Sequence, residues 1–399
     1  MTMARDAANE GHLPPQEELS AVAVELCSAA AANDLPRVQE IVHDRPNAVH
    51  GKDGHGDTAL AHAARRGHVE IVRHLLDSGA NVRATRSGKD DRWSPLFWSV
   101  GWGAKPDMVT MLLDHGADIL ARADHHGAAD DTVLHTAGRY ADNEEIVRLL
   151  LDRGADALLA CRCGDGDSRE EGYTPLHSAV RAQHHPIVDL LVARGADTDA
   201  FSAAGRGLAD WFGTHGADVD LTDANGETSL HWAIACRQAD LARLLIAEGA
   251  SLAARDRYGR TPLHAAILAD ADDLVALCVD SGATPDAFAH AALGQPEAVD
   301  TPDEQDAFGW TPLHWACRTG QGDTARALLE RGADVNARDA EGRPPLFIAA
   351  YRARHLPTVE ALVGFGADIT ARDGEDCGIL AYDVGREIGA FLRERGATE

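Results

Sequence analysis

The chain has 399 residues, more than one compact core usually supports, so length alone calls for several domains or for an array that grows by repetition. Hydrophobic residues make up 45% of it but aromatics only 5%, a composition of small side chains suited to closely packed helices. The formal net charge of −27 opposes both a phosphate backbone and an anionic membrane surface, which argues against nucleic acid and membranes as partners.

Residues 1–16 are polar, contain Pro14 and Pro15, and are expected to be disordered. They lack an apolar h-region, and no later run reaches the roughly 18 apolar residues of a membrane span, so a soluble cytoplasmic protein is expected. Seven cysteines, an odd number scattered along the chain, form no disulfide framework and fit a reducing compartment. Lysine occurs only at Lys52, Lys89 and Lys105, and the arginine-, alanine- and glycine-rich usage points to a high-GC bacterial genome.

ELSAVAVELCSAAAANDLPRVQEIVHDRP (18–46) predicts a capping helix pair within 17–57. From Thr58 a frame recurs: TALAHAARRGHVEIVRHLLDSGANV, SPLFWSVGWGAKPDMVTMLLDHGADI, TVLHTAGRYADNEEIVRLLLDRGADA and TPLHSAVRAQHHPIVDLLVARGADT fill a block at 58–200. It returns at 228–285 and at 311–376, and CGILAYDVGREIGAFLRERGATE (377–399) reads as a shortened terminal pair. In the copy beginning at Thr311, the Thr side chain caps a helix, Pro312 occupies its first turn, and Ala316 and Cys317 let a second helix lie close. Ala325, Leu328 and Leu329 form the apolar stripe of that second helix, Gly332 ends it, and an extended finger leads to a turn at Gly342.

An unperturbed unit repeats about every 33 residues. Longer spacings from Thr58 to Ser94, Thr132 and Thr174 place enlarged fingers at 83–93, 121–131 and 160–173, where binding specificity is commonly carried. Two intervals, 201–227 and 286–310, hold incomplete repeats. In the first, a second helix is read without a full first helix; in the second, a first helix is followed by a truncated partner. Both are expected to bend or offset the stack.

The T-P-L-H start and L-L-x-x-G-A-D end closely resemble the ankyrin repeat. The resemblance implies an all-α repeat solenoid of stacked helix-turn-helix units with short finger loops, about eleven units including caps and the two incomplete repeats. It also implies a protein-binding groove, and structural roles for His135, His177, His231, His264 and His314, which in this family bond backbone between repeats.

For binding, the candidates are the aromatics at the finger bases, Trp93, Tyr173, Trp310 and Tyr258, together with Trp102 and the charged finger residues Arg92, His125, His126, Asp130, Asp131, Asp165, Asp167, Glu170 and Glu171. Trp98, Trp232 and Trp315 are assigned to packing. Cys161 and Cys163 with His125 and His126 do not have the spacing of common zinc sites, and the acidic loop at 165–171 lacks a calcium-loop pattern, so no metal and no cofactor is assigned. No phosphate loop, nucleophile elbow or H-E-x-x-H occurs. The expected function is a scaffold, adaptor, inhibitor or immunity-type protein whose acidic surface attracts a basic protein. The alternative is a small-molecule binder or atypical enzyme, with His184, His185, Asp130 and Asp131 as its candidates.

Overall fold

The computed structural model describes residues 16–85, 93–102, 105–125, 128–140, 144–161, 172–216, 218–374 and 376–397. The chain divides into two compact units, Met1–Thr198 and Asp199–Glu399. In the first, antiparallel pairs follow in order: Gln16–Ala31 with Leu35–Asp44, Ala59–Arg66 with Val69–Asp77, Pro95–Gly101 with Pro106–Asp114, Val133–Tyr140 with Glu144–Asp152, and Pro175–Arg181 with His185–Ala193. In the second, Ser229–Ala235, Pro262–Leu268 and Pro312–Arg318 each precede a nine-residue partner beginning at Ala239, Asp272 and Gly322. Pro345–Phe347 runs on as a π-helical turn, Ile348–Ala353, before Leu356–Gly364, and the chain closes with Ile379–Ala381 and Arg386–Arg393. The repeat solenoid expected from the sequence is thus what the chain forms.

Each pair buries its apolar stripe on its neighbours. Leu60, Ile71, Leu75, Leu96, Met108, Leu112, Leu134 and Ile146 have no more than 1% of their surface exposed in the first unit, as do Leu313, Leu328, Leu346 and Leu362 in the second. Trp232 and Trp315 are fully buried and Trp98 is 8% exposed, the packing role expected of them. The described cysteines are free thiols.

In six of the described fingers a carboxylate organises the turn. Asp306 Oδ1 accepts the N–H groups of Phe308 and Trp310, both at 2.9 Å, which forms the turn, and its Oδ2 accepts Trp315 Nε1–H at 3.0 Å. Asp223 repeats this with Asn225, Glu227 and Trp232. Asp256 and Asp339 draw the last donor instead from Arg260 and Arg343, Asp53 from His62, and Asp373 from the Tyr382 hydroxyl. Successive turns then bond to each other: Arg257 N–H to Asn225 O at 2.7 Å, Ala340 to Phe308 and Gly374 to Glu341 both at 2.8 Å.

The two irregular intervals hold shortened pairs. Contrary to the expectation for 201–227, a first helix is present, Ala200–Gly205, followed by Ala209–His215. Asp199 caps it by a reciprocal bond with Ser202, a start that lacks the Thr-Pro signature. In 286–310, Asp286 caps Ala287–Ala292, and the second helix is reduced to a 3₁₀ turn, Pro296–Ala298. Arg331 of the next repeat donates to the Pro296 and Val299 carbonyls, which the truncated helix would otherwise leave open.

The repeated histidines tie pairs together. His314 Nδ1 accepts the Thr311 N–H at 3.1 Å, so the proton sits on Nε2, which donates to Arg343 O at 3.2 Å in the following repeat. His135 reaches Tyr173 O and His231 reaches Arg260 O in the same way. Where the next finger is missing, His264 Nε2 donates to the Asp286 carboxylate at 3.0 Å, and Asp286, although burial opposes its ionisation, is held at a pKa of about 2 by that bond.

Two predictions follow from these ties. Burial lowers the pKa of His135 to about 3 and of His314 to about 4, only partly offset by their carbonyl bonds. Unfolded, the same imidazoles take up protons near pH 6.5. The unfolded chain therefore binds more protons below that pH, and stability should fall as pH drops from about 6.5 towards 4, by up to about 1.4 kcal/mol per pH unit for each histidine. Urea midpoints between pH 7 and 4.5 should show the decline, and His314→Gln should flatten it; an unchanged slope in the variant would mean that this imidazole titrates alike in both states. The second concerns Gly309, which turns its finger at φ +73°, where an added Cβ would lie 2.8 Å from Ala340 N. Gly332, at φ +92°, faces open space. Both alanine variants carry left-handed strain of about 1–3 kcal/mol, but Gly309→Ala should lower the urea midpoint clearly more, because it also pushes the fingers apart.

Candidate partner-binding surface

Where an enlarged finger was read at 121–131, the first unit forms a hairpin, Arg122–His125 against Ala128–Thr132, with Arg122 opposite Thr132 and Ala123 opposite Asp131. Arg122 then donates to Ala160 O at 3.2 Å, tying the hairpin to the next finger. Arg92, His126, Cys163, Asp165, Asp167, Glu170 and Glu171 lie outside the described residues, as do the side chains of His125 and Asp130.

The finger-base aromatics are not the exposed ones. Trp93 is 3% and Tyr173 4% exposed, which corrects the expectation that they stand open to a partner. Trp93 folds back over its own helix, with ring centroids 4.8 Å from Trp98 and 4.9 Å from Trp102. Gly101 lies under the Trp93 ring, where a Cβ would be in van der Waals contact at 3.4 Å. Trp310 and Tyr258 are half-buried: the Trp310 indole donates to Asp339 Oδ2 at 3.2 Å, and Tyr258 stacks on Phe308 at 4.6 Å.

Exposure falls one turn further on. Trp102 is 49% and Tyr140 41% exposed, and the two rings stack at 5.8 Å across neighbouring first helices. The Arg65 guanidinium lies 4.7 Å from the Trp98 ring on one side; Arg139 lies 5.7 Å from Tyr140 on the other, and Arg181 sits 6.0 Å from Tyr173 in the next repeat. The ends of four successive first helices thus carry an aromatic strip edged with arginine. Trp102 was among the sequence candidates; Tyr140, Arg65 and Arg139 were not. They occupy the eighth and ninth places counted from the capping residue, the same places as Gly101 and Trp102, so aligning the repeats by register would have found them.

Two clusters have metal-ligand composition. Asp131, His135 and Cys161 each bring a ligand atom within 4.8 Å of the others, all three buried. Both His135 nitrogens are already committed, Nδ1 to Thr132 and Nε2 to Tyr173 O at 2.9 Å, and Asp131 pairs with Arg139 at 2.9 Å. The cluster is a structural knot between repeats. Cys27, Asp53 and His62 form the second, in which His62 plays the part that Trp232 and Trp315 play in their fingers, and burial raises the Cys27 thiol pKa to about 12. Of the other catalytic candidates, His184 Nδ1 bonds Gly138 O at 3.0 Å, closing a turn between repeats, and His185 is exposed at the start of its helix.

In the second unit, where no finger stands between Asp272–Asp280 and Asp286, a cleft of about 200 Å³ opens beside Tyr258. Arg255, Arg260, His264, Asp286, Asp306 and Trp315 are among its lining residues. Among the described residues no helix is long and apolar enough to cross a membrane.

A family model of ankyrin repeats matches residues 26–123, 120–202, 200–289 and 289–373. Curated relatives include neurogenic locus notch homolog protein 1 of Danio rerio, 34% identical over 157 residues, which are 36% of this chain and 6% of that protein. The human protein of the same name is 34% identical over 158 residues, with the same coverage. An ankyrin repeat, SAM and basic leucine zipper domain-containing protein 1 of Dasypus novemcinctus is 35% identical over 140 residues, 34% of this chain and 26% of that one. The chain therefore spans about a quarter or less of the length of these relatives. With the family model matched over most of its length, and with the Thr–His caps and finger turns recurring in its structure, the chain belongs to the ankyrin-repeat family.

Proposed function

We propose that the chain is a protein-binding scaffold whose contact surface in the first unit is the strip at the ends of the first helices. The observation that carries this is the exposed Trp102–Tyr140 stack, with Arg65 and Arg139 beside it. Trp, Tyr and Arg are the side chains that most often dominate protein interfaces, because each buries a large area while keeping one polar or cationic edge. Adaptor, inhibitor and immunity-type roles all fit such a surface. A basic partner follows from the net charge of the whole chain, but arginines, not carboxylates, edge this strip. Trp93, Tyr173 and Asp131 serve the surface from beneath, by fixing the rings and Arg139 in place.

A small-molecule site is the second reading, favoured by the cleft in the second unit rather than by the fingers of the first. Its volume of about 200 Å³ is below the usual range for cofactor-sized ligands and would suit a single side chain or a small metabolite.

A photo-crosslinking amino acid in place of Tyr140, compared with one in place of the exposed Glu145 on the second helix, tests the scaffold reading in cells that express the chain. Crosslinks to protein are expected at 140 and not at 145, and adding Trp102→Ala should cut their yield about tenfold or more. Equal labelling at both positions, or none at either, would remove the surface from consideration.

A further inference from the structure

We infer that the strip on the first unit receives an extended acidic segment of a partner protein, about eight residues long, with an apolar side chain seated on Trp102 and Tyr140. This rests on the scaffold reading and specifies the chemistry of its partner.

The argument starts from how charge is sorted along the repeat. In the four pairs that follow the N-terminal one, the seventh and eighth residues after the capping residue are Arg65 and Arg66, Gly101 and Trp102, Arg139 and Tyr140, and Arg181 and Ala182. None is a carboxylate. The second helices of the same pairs carry exposed carboxylates at Glu70, Asp77, Asp107, Asp114, Asp152 and Asp189, and several are matched by their own arginines: Arg73 with Glu70, Arg153 with Asp114, Arg194 with Asp152. The chain's negative charge in this unit is thus displaced from the strip.

Arg139 is paired with the buried Asp131, but the two arginines at the start of the strip are not spent on anions. Arg65 lies over Trp98, Arg66 bonds His62 Nδ1 at 3.2 Å, and neither makes an ion pair among the described residues. Both are exposed, and guanidinium groups in that setting take carboxylates bidentately. Arg139 and Arg181 are half-buried at the other end of the strip. First helices packed about 8–10 Å apart make the path across four of them about 27 Å, which an extended chain at about 3.4 Å per residue crosses in about eight residues. Carboxylates at both ends of such a segment would meet the two arginine groups while its middle covers the exposed rings. An aromatic strip edged with arginine also suits single-stranded nucleic acid, but a polyanion longer than the strip would run against the exposed carboxylates of the second helices.

The test uses the full chain and three fluorescein-labelled probes at low salt: an octapeptide with three glutamates on either side of two leucines, its lysine counterpart, and an oligothymidylate. The glutamate peptide should bind most tightly and weaken with added salt. Its Kd should rise at least about tenfold in the Arg65→Glu/Arg66→Glu variant and in Trp102→Ala, all exposed positions whose variants should keep the wild-type circular dichroism. Tighter binding of the lysine peptide, lost in Trp102→Ala, would overturn the acidic segment and leave the scaffold surface standing. Preference for oligothymidylate would overturn it in favour of nucleic acid. If no probe binds, or if binding ignores both Trp102 and the two arginines, the inference fails together with the assignment of this surface.

Discussion

The structure depends on one recurring arrangement, the finger aspartate that accepts from two backbone N–H groups and a side-chain donor at once. A carboxylate removed from water is stable only when donors replace the hydration it loses. Asp306 and Asp223 take two backbone N–H groups and one indole; Asp256 and Asp339 take two backbone N–H groups and a guanidinium. The backbone bonds bend the finger, and the side-chain donor locks the finger to a helix. That donor comes from either side of the T-P-L-H box, from Arg260 just before it or from Trp315 just after. When one place supplies the donor, the other is released: residue 265, opposite Trp315 in the frame, is alanine. The residue types at these two places are therefore constrained as a pair.

The irregular repeat in the second unit shows what the arrangement controls. With no finger between Asp256 and Asp306, the turn-to-turn backbone bond cannot form there, and Tyr258 on Phe308 spans the distance by stacking instead. The histidine that would have reached a carbonyl, His264, finds the carboxylate of Asp286, which also caps the shortened helix. One side chain thus replaces a whole finger at two of its bonding places, and the cleft opens where that finger is absent. The truncated second helix is repaired from the other direction, by Arg331.

Much of this was legible in sequence because its determinants are local. Thr311, Pro312, His314 and Gly332 act within one turn of themselves, so their spacing suffices to place both helices. The first helix at Ala200–Gly205 was missed because Asp199 and Ser202 do with a reciprocal side-chain bond what Thr and His do elsewhere, and the apolar run is too short to show a period. The exposure of aromatics was misjudged for a different reason. Whether Trp93 or Trp102 stands in solvent depends on how their rings pack on each other and on Tyr140, in the next repeat, so a residue-by-residue reading of the finger could not decide it. The same holds for Cys161, whose neighbours Asp131 and His135 come from the preceding repeat.

The inversion between the charge of the chain and the charge of its strip has a physical cause in the repeat itself. First helices sit close together and end in carbonyl groups carrying partial negative charge, a place where arginine is favoured and a carboxylate is not. Second helices present one whole face to water and can hold carboxylates at their starts and along their flanks. A solenoid can therefore become strongly acidic overall without placing a single acid on the inner row. At physiological salt, charges separated by more than about 8 Å are largely screened from each other, so a segment lying along the strip responds to the guanidinium groups it touches and only weakly to carboxylates a helix diameter away. Net charge governs how a distant partner approaches; the side chains in contact decide which segment stays.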